Sequence, residues 1–216
     1  MHPTFRVAQE ADAPHLLEIL CLAEASGGPF IPYARLFDLS EAEVRAALLE
    51  LLEVDALGCE LCWPNYWVAE VAGQVAAGLA AWYEGAEGLP SAQLKGQLLA
   101  QALGRERLLA AKPRLALLGA IDIPRVPGTL QLDAIAVLPA YRGHGLAAQL
   151  IGAVEAHHRS LGYRGPVTIQ LMAENAAALR CYTQLGYTET ERRTASAPEV
   201  PTYVPGTTRL ALVKSL

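Results

Sequence analysis

Leu130-Gln-Leu-Asp-Ala-Ile-Ala-Val-Leu-Pro-Ala-Tyr-Arg-Gly-His-Gly-Leu-Ala-Ala148 is the stretch on which the reading of this chain turns. It opens as a strand, stops at Pro139, turns through Arg142-Gly143-His144-Gly145 and restarts as a helix. Apolar residues at Leu146, Leu150, Ile151, Val154 and Leu161 hold helical spacing on one face of that helix. A strand that feeds a glycine-bearing turn and then a helix is a device for holding an anion. The first N–H groups of the helix have no partner within it, and the macrodipole places partial positive charge there. Gly143 and Gly145 carry no Cβ, so a phosphate oxygen reaches the backbone closely and unusual φ values are open.

The spacing sorts among phosphate-binding patterns. A Walker loop needs Gly-Lys-Ser/Thr, which is absent. A dinucleotide fingerprint, Gly-x-Gly-x-x-Gly/Ala, is matched by Gly143, Gly145 and Ala148, but deep in the chain and with Arg142 before the glycines. A nucleotide-binding domain therefore stays open as one reading. The residues Arg142-Gly143-His144-Gly145-Leu146-Ala147, with the preceding Ile135-Ala136-Val137-Leu138-Pro139-Ala140-Tyr141, resemble the acyl-coenzyme A pyrophosphate motif of the GNAT superfamily of N-acetyltransferases. A second stretch strengthens the likeness. Asn175-Ala-Ala-Ala-Leu-Arg-Cys-Tyr182-Thr-Gln-Leu185-Gly186-Tyr187 is similar to the family segment in which Asn, an aromatic and Leu-Gly-aromatic recur, behind one helix and one strand. The match is good over residues 130–187 and loose over the first 85.

Composition bounds the rest. The chain has 216 residues, 52% hydrophobic and 18% charged, which suits one globular domain with a large core. A net charge of −5 gives no global field towards nucleic acid or anionic lipid, so a phosphate site must work locally. Met1-His-Pro-Thr-Phe-Arg6 lacks the apolar core of a signal peptide, and no apolar run nears the roughly 20 residues of a membrane span. Cys59-Glu-Leu-Cys62 has redox or half-zinc-site spacing, but no second Cys/His pair at ligand spacing follows. With Cys21 and Cys181, these read as reduced, small apolar residues of a cytoplasmic protein.

Taken in order, Thr4–Ala8 reads as a first strand and Glu10–Ala25 as a helix that Asp12 is placed to cap. Ser40 and Glu43 form a capping box for a helix expected to reach about Leu57. Tyr66–Val71 and Gln74–Tyr83 flank Ala72-Gly73 as a hairpin. Ser91–Ala111 is helical, and Leu115–Ile123 reads as extended. Val167–Met172 is a strand, Asn175–Leu185 a capped helix ended by Gly186, and Tyr187–Arg193 and Thr208–Lys214 the last two strands. The loop Ala195–Gly206 is placed to reach over an acceptor site.

The resemblance implies an α/β (α+β) fold. Its sheet would be mixed, mostly antiparallel and seven-stranded, flanked by helices and splayed between strands 4 and 5. It implies one N-acetyltransferase domain over residues 1–216, with a helical insertion at about 88–128. The implied cofactor is acetyl-CoA, met by Ala136, Val137, Arg142, Gly143, His144, Gly145, Leu146, Ala147 and Asn175. A backbone N–H at Val137 or Leu138 would meet the oxyanion. The implied catalytic residues are Tyr182 as general acid and Asp133 as the carboxylate that receives the amine proton. Strand alternation would put Asp133 on the face of Gln131 and Ile135, and Glu70 is a further candidate base. The expected reaction is direct transfer of an acyl group to a small-molecule or peptide amine, with no nucleic-acid or membrane partner and a homodimer left open. The alternative is a non-catalytic acyl-CoA-binding or regulatory protein of the same fold.

Overall fold

The structure is a computed structural model and describes residues 2–216. Seven strands form one sheet in the order β1-β2-β3-β4-β5-β7-β6. They are β1 Thr4–Val7, β2 Tyr66–Val71, β3 Gln74–Tyr83, β4 Leu130–Val137, β5 Pro166–Met172, β6 Thr188–Thr194 and β7 Thr208–Ser215. Every neighbouring pair is antiparallel except β4 and β5, which run parallel. The sheet is thus mixed and mostly antiparallel, as the sequence implies.

Eight α-helices cover it: α1 Ala13–Ala25, α2 Pro32–Phe37, α3 Glu41–Leu52, α4 Ser91–Leu103, α5 Arg105–Leu118, α6 Leu146–Ser160, α7 Ala176–Gln184 and α8 Val200–Tyr203. One apolar core joins α1 to α4 with one face of β2–β4, through residues such as Leu16, Leu20, Leu48, Leu52, Tyr66 and Val68. A second lies on the opposite face, where Leu146, Leu150, Ile151 and Val154 of α6 meet Leu130, Leu132, Val167, Ile169, Leu210 and Leu212. A third, small cluster of Ile121, Met172, Ala195, Val200 and Val204 ties the β6–β7 connection to the segment before β4.

Local signals explain most boundaries. The Ser40 Oγ accepts from the N–H of Glu43, and the Glu43 carboxylate accepts the N–H of Ser40 at 2.8 Å, so α3 begins with the expected capping box. It ends at Leu52 rather than near Leu57. At the start of α1, Asp12 lies inside a single 3-10 turn, accepts the N–H of Gln9 and is ion-paired with Arg6. The short helix α2 is not anticipated in the sequence. Leu115–Ile123, read as extended, is instead the end of α5 and a 3-10 turn at Gly119–Ile121. α5 runs through Pro113, which forfeits one backbone hydrogen bond. Leu161, expected on the buried stripe of α6, follows the helix end and is 68% exposed.

Candidate active site

β4 and β5 pair only over Leu130–Leu132 and Val167–Ile169. Beyond that point the two parallel strands separate, leaving backbone groups on both edges without a strand partner. The carboxyl ends of both strands lead directly into helix N-termini: β4 through a turn into α6, and β5 into α7. A crevice at the carboxyl ends of parallel strands, bordered by two helix N-termini, is a favourable place for an anionic ligand.

The turn after β4 is shaped for close approach. Gly143 has φ +83 and Gly145, the residue that caps α6, has φ +70, conformations that L side chains enter only at a cost. No side chain caps α6, so the N–H groups of Leu146 and Ala147 stay available, and a Cβ at Gly143 would meet nothing within 4 Å. Arg142 Nε donates to the Val137 carbonyl (3.2 Å), and Gln149 Nε2 donates to the His144 carbonyl (3.0 Å). Arg142 and His144 are exposed beside the turn. These residues fit a diphosphate: open backbone donors, no blocking side chain and no competing carboxylate among them.

β4 carries a bulge. Gly78 pairs with Ala136 and Ala80 with Asp133, so Leu79 alone faces both Ala134 and Ile135. Ala134 takes φ +48, and its N–H is held by Asp133 Oδ1 at 2.7 Å. The extra residue resets the alternation. Gln131, Asp133, Ala134 and Ala136 lie on the α1–α4 side, whereas Leu130, Leu132, Ile135 and Val137 pack with α6 and α7. Asp133 and Ile135 therefore do not share a face, contrary to unbroken alternation. The other Asp133 oxygen pairs with Arg125, whose guanidinium also donates to Gln131 and lies 5.1 Å from the Trp82 ring centroid. Both oxygens of Asp133 are thus engaged. Glu70 is engaged as well, by Arg6 at 2.6 Å.

On the other edge, Asn175 caps α7 by accepting the N–H of Ala178, and its Nδ2 donates to Ser26 Oγ at 3.0 Å. That bond brings the end of α1 to the start of α7 at the rim of the opening. Tyr182, two turns along α7, is 6% exposed, and its hydroxyl makes no hydrogen bond to any described residue. Burial pushes its hydroxyl well above the ordinary tyrosine range, so it stays protonated at neutral pH. Its ring meets Tyr187 edge-on with centroids 6.4 Å apart. Burial also raises the Cys181 thiol.

A group of charges on the α1–α4 side escapes sequence reasoning. Glu60 pairs with Lys95, and Glu84 accepts from Trp82 Nε1 (3.1 Å) and from the N–H of Ser91 at the start of α4 (2.9 Å). Burial would push the Glu60 carboxyl up, but Lys95 and Arg125 outweigh it and hold it low. Glu24 extends the buried stripe of α1, following Ala13, Leu17 and Leu20 at helical spacing. A glutamate on an apolar stripe is a signal the sequence does contain. Lys95 and Arg125 come from residues distant in the chain and leave no such trace. Among the described residues no group of His, Cys, Asp and Glu is arranged to hold a metal ion, and no helix is long and apolar enough to cross a membrane.

Comparison with known proteins fits this geometry. Across 98% of the chain the fold superposes on all of an N-acetyltransferase from Staphylococcus aureus Mu50, with a TM-score of 0.63 and 16% identity. A polyamine N-acetyltransferase of Drosophila melanogaster aligns over 100% of both chains with a TM-score of 0.59 and 17% identity. The yncA protein of Salmonella typhimurium, solved with its cofactor acetyl-CoA, covers 100% of this chain and 95% of its own, with a TM-score of 0.56 and 16% identity. The comparison with curated proteins gives no match. The profile of the acetyltransferase (GNAT) family matches residues 37–187, which include the hairpin, the bulged strand, the glycine turn and α7, and the chain belongs to that family.

Proposed function

We propose that this protein transfers an acetyl group from acetyl-CoA to a primary amine by direct attack, acting as one domain in which α4 and α5 form an insertion. One observation carries the reading: two parallel strands part before their carboxyl ends, each then leads to a helix N-terminus, and one of those helices begins in an uncapped glycine turn. Acetyl-CoA supplies an acetyl group activated as a thioester. Backbone N–H groups from Arg142 to Ala147, through Gly143, His144, Gly145 and Leu146, hold the diphosphate, with the Arg142 side chain beside them. The β4 edge at Ala136 and Val137 lies along the opening and offers backbone partners to the pantetheine arm and an N–H to the developing oxyanion. Asn175 holds α7 in place and borders the cofactor.

Tyr182 donates a proton to the leaving thiolate, a role favoured by a hydroxyl that is free of other partners and kept protonated. Direct attack is favoured because Cys181 has a raised thiol, unsuited to act as a nucleophile. Asp133 supports the bulge, and to receive the amine proton it must yield Arg125 or the N–H of Ala134.

The test is thermal unfolding with acetyl-CoA, ATP and NAD, followed by free-thiol release with amines. Stabilisation of about 2.7 kcal/mol at a hundredfold excess over Kd, by acetyl-CoA alone, supports the cofactor. No shift at millimolar acetyl-CoA overturns the reading. A shift without turnover of any amine leaves a binding protein in its place. Loss of turnover in Asp133→Asn with an unchanged acetyl-CoA shift supports the proton-accepting role.

A further inference from the structure

β4 and β5 pair as far as Leu132 and Ile169, and the next residues along them are Asp133 and Gln170. Both side chains lie on the α1–α4 face, since Ile169 packs on the other side with α6. Both also grip the same short segment, the approach to β4. Gln170 Nε2 donates to the Ile123 carbonyl at 2.9 Å, and the Arg125 guanidinium pairs with Asp133. Arg125 Nε donates to Gln131 at 3.2 Å, and the guanidinium lies 5.1 Å from the ring centroid of Trp82. The segment is fastened at its ends. Ile121 shares a buried cluster with Met172 of β5, the Asp122 carbonyl accepts from Arg193 of β6, and the N–H of Gly128 donates to the Glu84 carbonyl at 2.8 Å. Residues 123–125 therefore bridge the two strands where their ladder stops.

Asp133 does more than anchor this segment. Backbone groups along a strand point alternately to its two neighbours. The Thr129 carbonyl accepts from the N–H of Glu84, just after β3, so Gln131 and Asp133 also turn their backbone groups to β3, and Leu130, Leu132 and Ala134 turn theirs to β5. In keeping with this, the N–H of Leu130 donates to the hydroxyl of Tyr163, just before β5. The N–H of Ala134 is thus the next donor the β4–β5 ladder would use, and Asp133 Oδ1 takes it at 2.7 Å. At φ +48, Ala134 holds a conformation that a residue with a Cβ enters only at a cost, so the bulge depends on groups that hold it. Past the bulge the parity reverses. The N–H of Leu138 donates to the Ala76 carbonyl of β3 at 2.9 Å, so Val137 turns its N–H to the opening. In a strand without the bulge, Val137 would face β3 as Gln131 and Asp133 do.

We propose that Arg125 is a positioning residue that acts through Asp133: it holds the bulge, ends the β4–β5 ladder at Leu132 and keeps the gap open for the pantetheine arm. Gln170 and the Ile123 carbonyl form the second arm of this brace. The inference rests on the acyl-transfer reading above and gives a task to the segment between α5 and β4. Among the described residues, the partners of Arg125 are Gln131, Asp133 and Trp82, none of which belongs to the glycine turn or α7. The brace therefore bears on the strand gap and not on the diphosphate site.

The experiment measures Kd by titration calorimetry for acetyl-CoA and for its nucleotide portion alone, an ADP phosphorylated on the ribose that lacks the pantetheine arm. The proteins are wild type, Arg125→Met, Arg125→Lys and Gln170→Leu. Arg125→Met is expected to weaken acetyl-CoA about 10-fold or more and the nucleotide by less than about twofold. Arg125→Lys, which keeps a cation for Asp133, recovers part of the loss. Gln170→Leu, which removes one neutral hydrogen bond, raises the Kd for acetyl-CoA about threefold. General damage to the fold weakens both ligands alike, so the ratio of the two constants separates positioning from stability. A ratio unchanged in Arg125→Met, whether neither ligand or both are weakened, overturns the proposal. If Arg125→Met does not fold, Gln170→Leu decides, and an unchanged ratio there overturns it as well. Wild type that fails to bind acetyl-CoA overturns the acyl-transfer reading; wild type that binds it, with the variants' ratios unchanged, overturns the brace alone.

Discussion

Two tyrosines in edge-on contact are expected to respond oppositely to the loss of a single oxygen. In Tyr182→Phe the ring and its burial are kept, and the hydroxyl removed makes no hydrogen bond. No intramolecular bond is lost, and relief of a poorly solvated hydroxyl stabilises the fold by up to about 1 kcal/mol. For a chain of this size that is a rise in Tm of at most about 4 °C. In Tyr187→Phe the hydroxyl removed donates to Glu155 at 2.8 Å, and Glu155 is a buried carboxylate whose remaining partner is Lys214 at 2.6 Å. A hydrogen bond to a buried charge contributes about 1.5–3 kcal/mol, so Tm falls by about 3–12 °C. Activity follows the reverse order. Removing a general acid lowers kcat about 100-fold or more, while Tyr187→Phe retains most of its turnover below its new Tm. Thermal scans with and without acetyl-CoA, beside initial rates of thiol release, read both effects. A Tyr182→Phe protein with near-wild-type kcat, or one that loses more stability than Tyr187→Phe, refutes the assignment of Tyr182 to chemistry.

Other consequences are as open to measurement. Gly145→Ala forces a Cβ onto a residue at φ +70, which costs about 1–2 kcal/mol and lowers Tm by about 2–8 °C. Its acetyl-CoA-induced shift is also smaller than that of wild type. Asp133→Asn keeps an oxygen for the N–H of Ala134 but leaves Arg125 without its carboxylate, an expected loss of about 2 kcal/mol by urea unfolding. The Arg6 guanidinium holds Asp12 below its ordinary value of 3.8, so the folded state binds fewer protons than the unfolded one near that pH. This contribution is complete above the unfolded-state value and disappears as pH falls through the lower folded-state value. Arg6→Gln therefore costs about 1 kcal/mol in urea midpoints at neutral pH, after allowance for a partly exposed arginine, and the difference narrows in strong acid.

What could be read from the chain depended on how local the determinants are. The glycine turn, the Ser40–Glu43 box, the Ala72-Gly73 hairpin and the Asn175 cap each involve residues within a few positions, and the structure forms all four. Helix α2 was hidden because its six residues, Pro32–Phe37, are too few for a periodic stripe. The Leu115–Ile123 run is apolar on all sides and follows a proline, so neither period is visible in it, and tertiary contact with α2 and the β6–β7 connection decides for helix. The bulge was illegible for another reason: its left-handed residue is Ala134, not a glycine, and one inserted residue leaves no compositional mark. Lys95 and Glu60, which lie 35 positions apart, meet only through the fold.

The bulge in β4 also acts as a half-period phase shift in the strand. Before it, even-numbered positions face α6; after it, odd-numbered ones do. A complete substitution scan of residues 130–137 should record a change of parity at Ala134, with charge rejected at 130 and 132, then at 135 and 137. Deleting Ala134 would remove the bulge and restore one unbroken alternation in which Ile135 and Val137 still face their core. The side chains on the α1–α4 face downstream of the bulge, at Ala134 and Ala136, are therefore free to change without touching the apolar positions on the other face. One residue thus decides which parity of the strand is apolar.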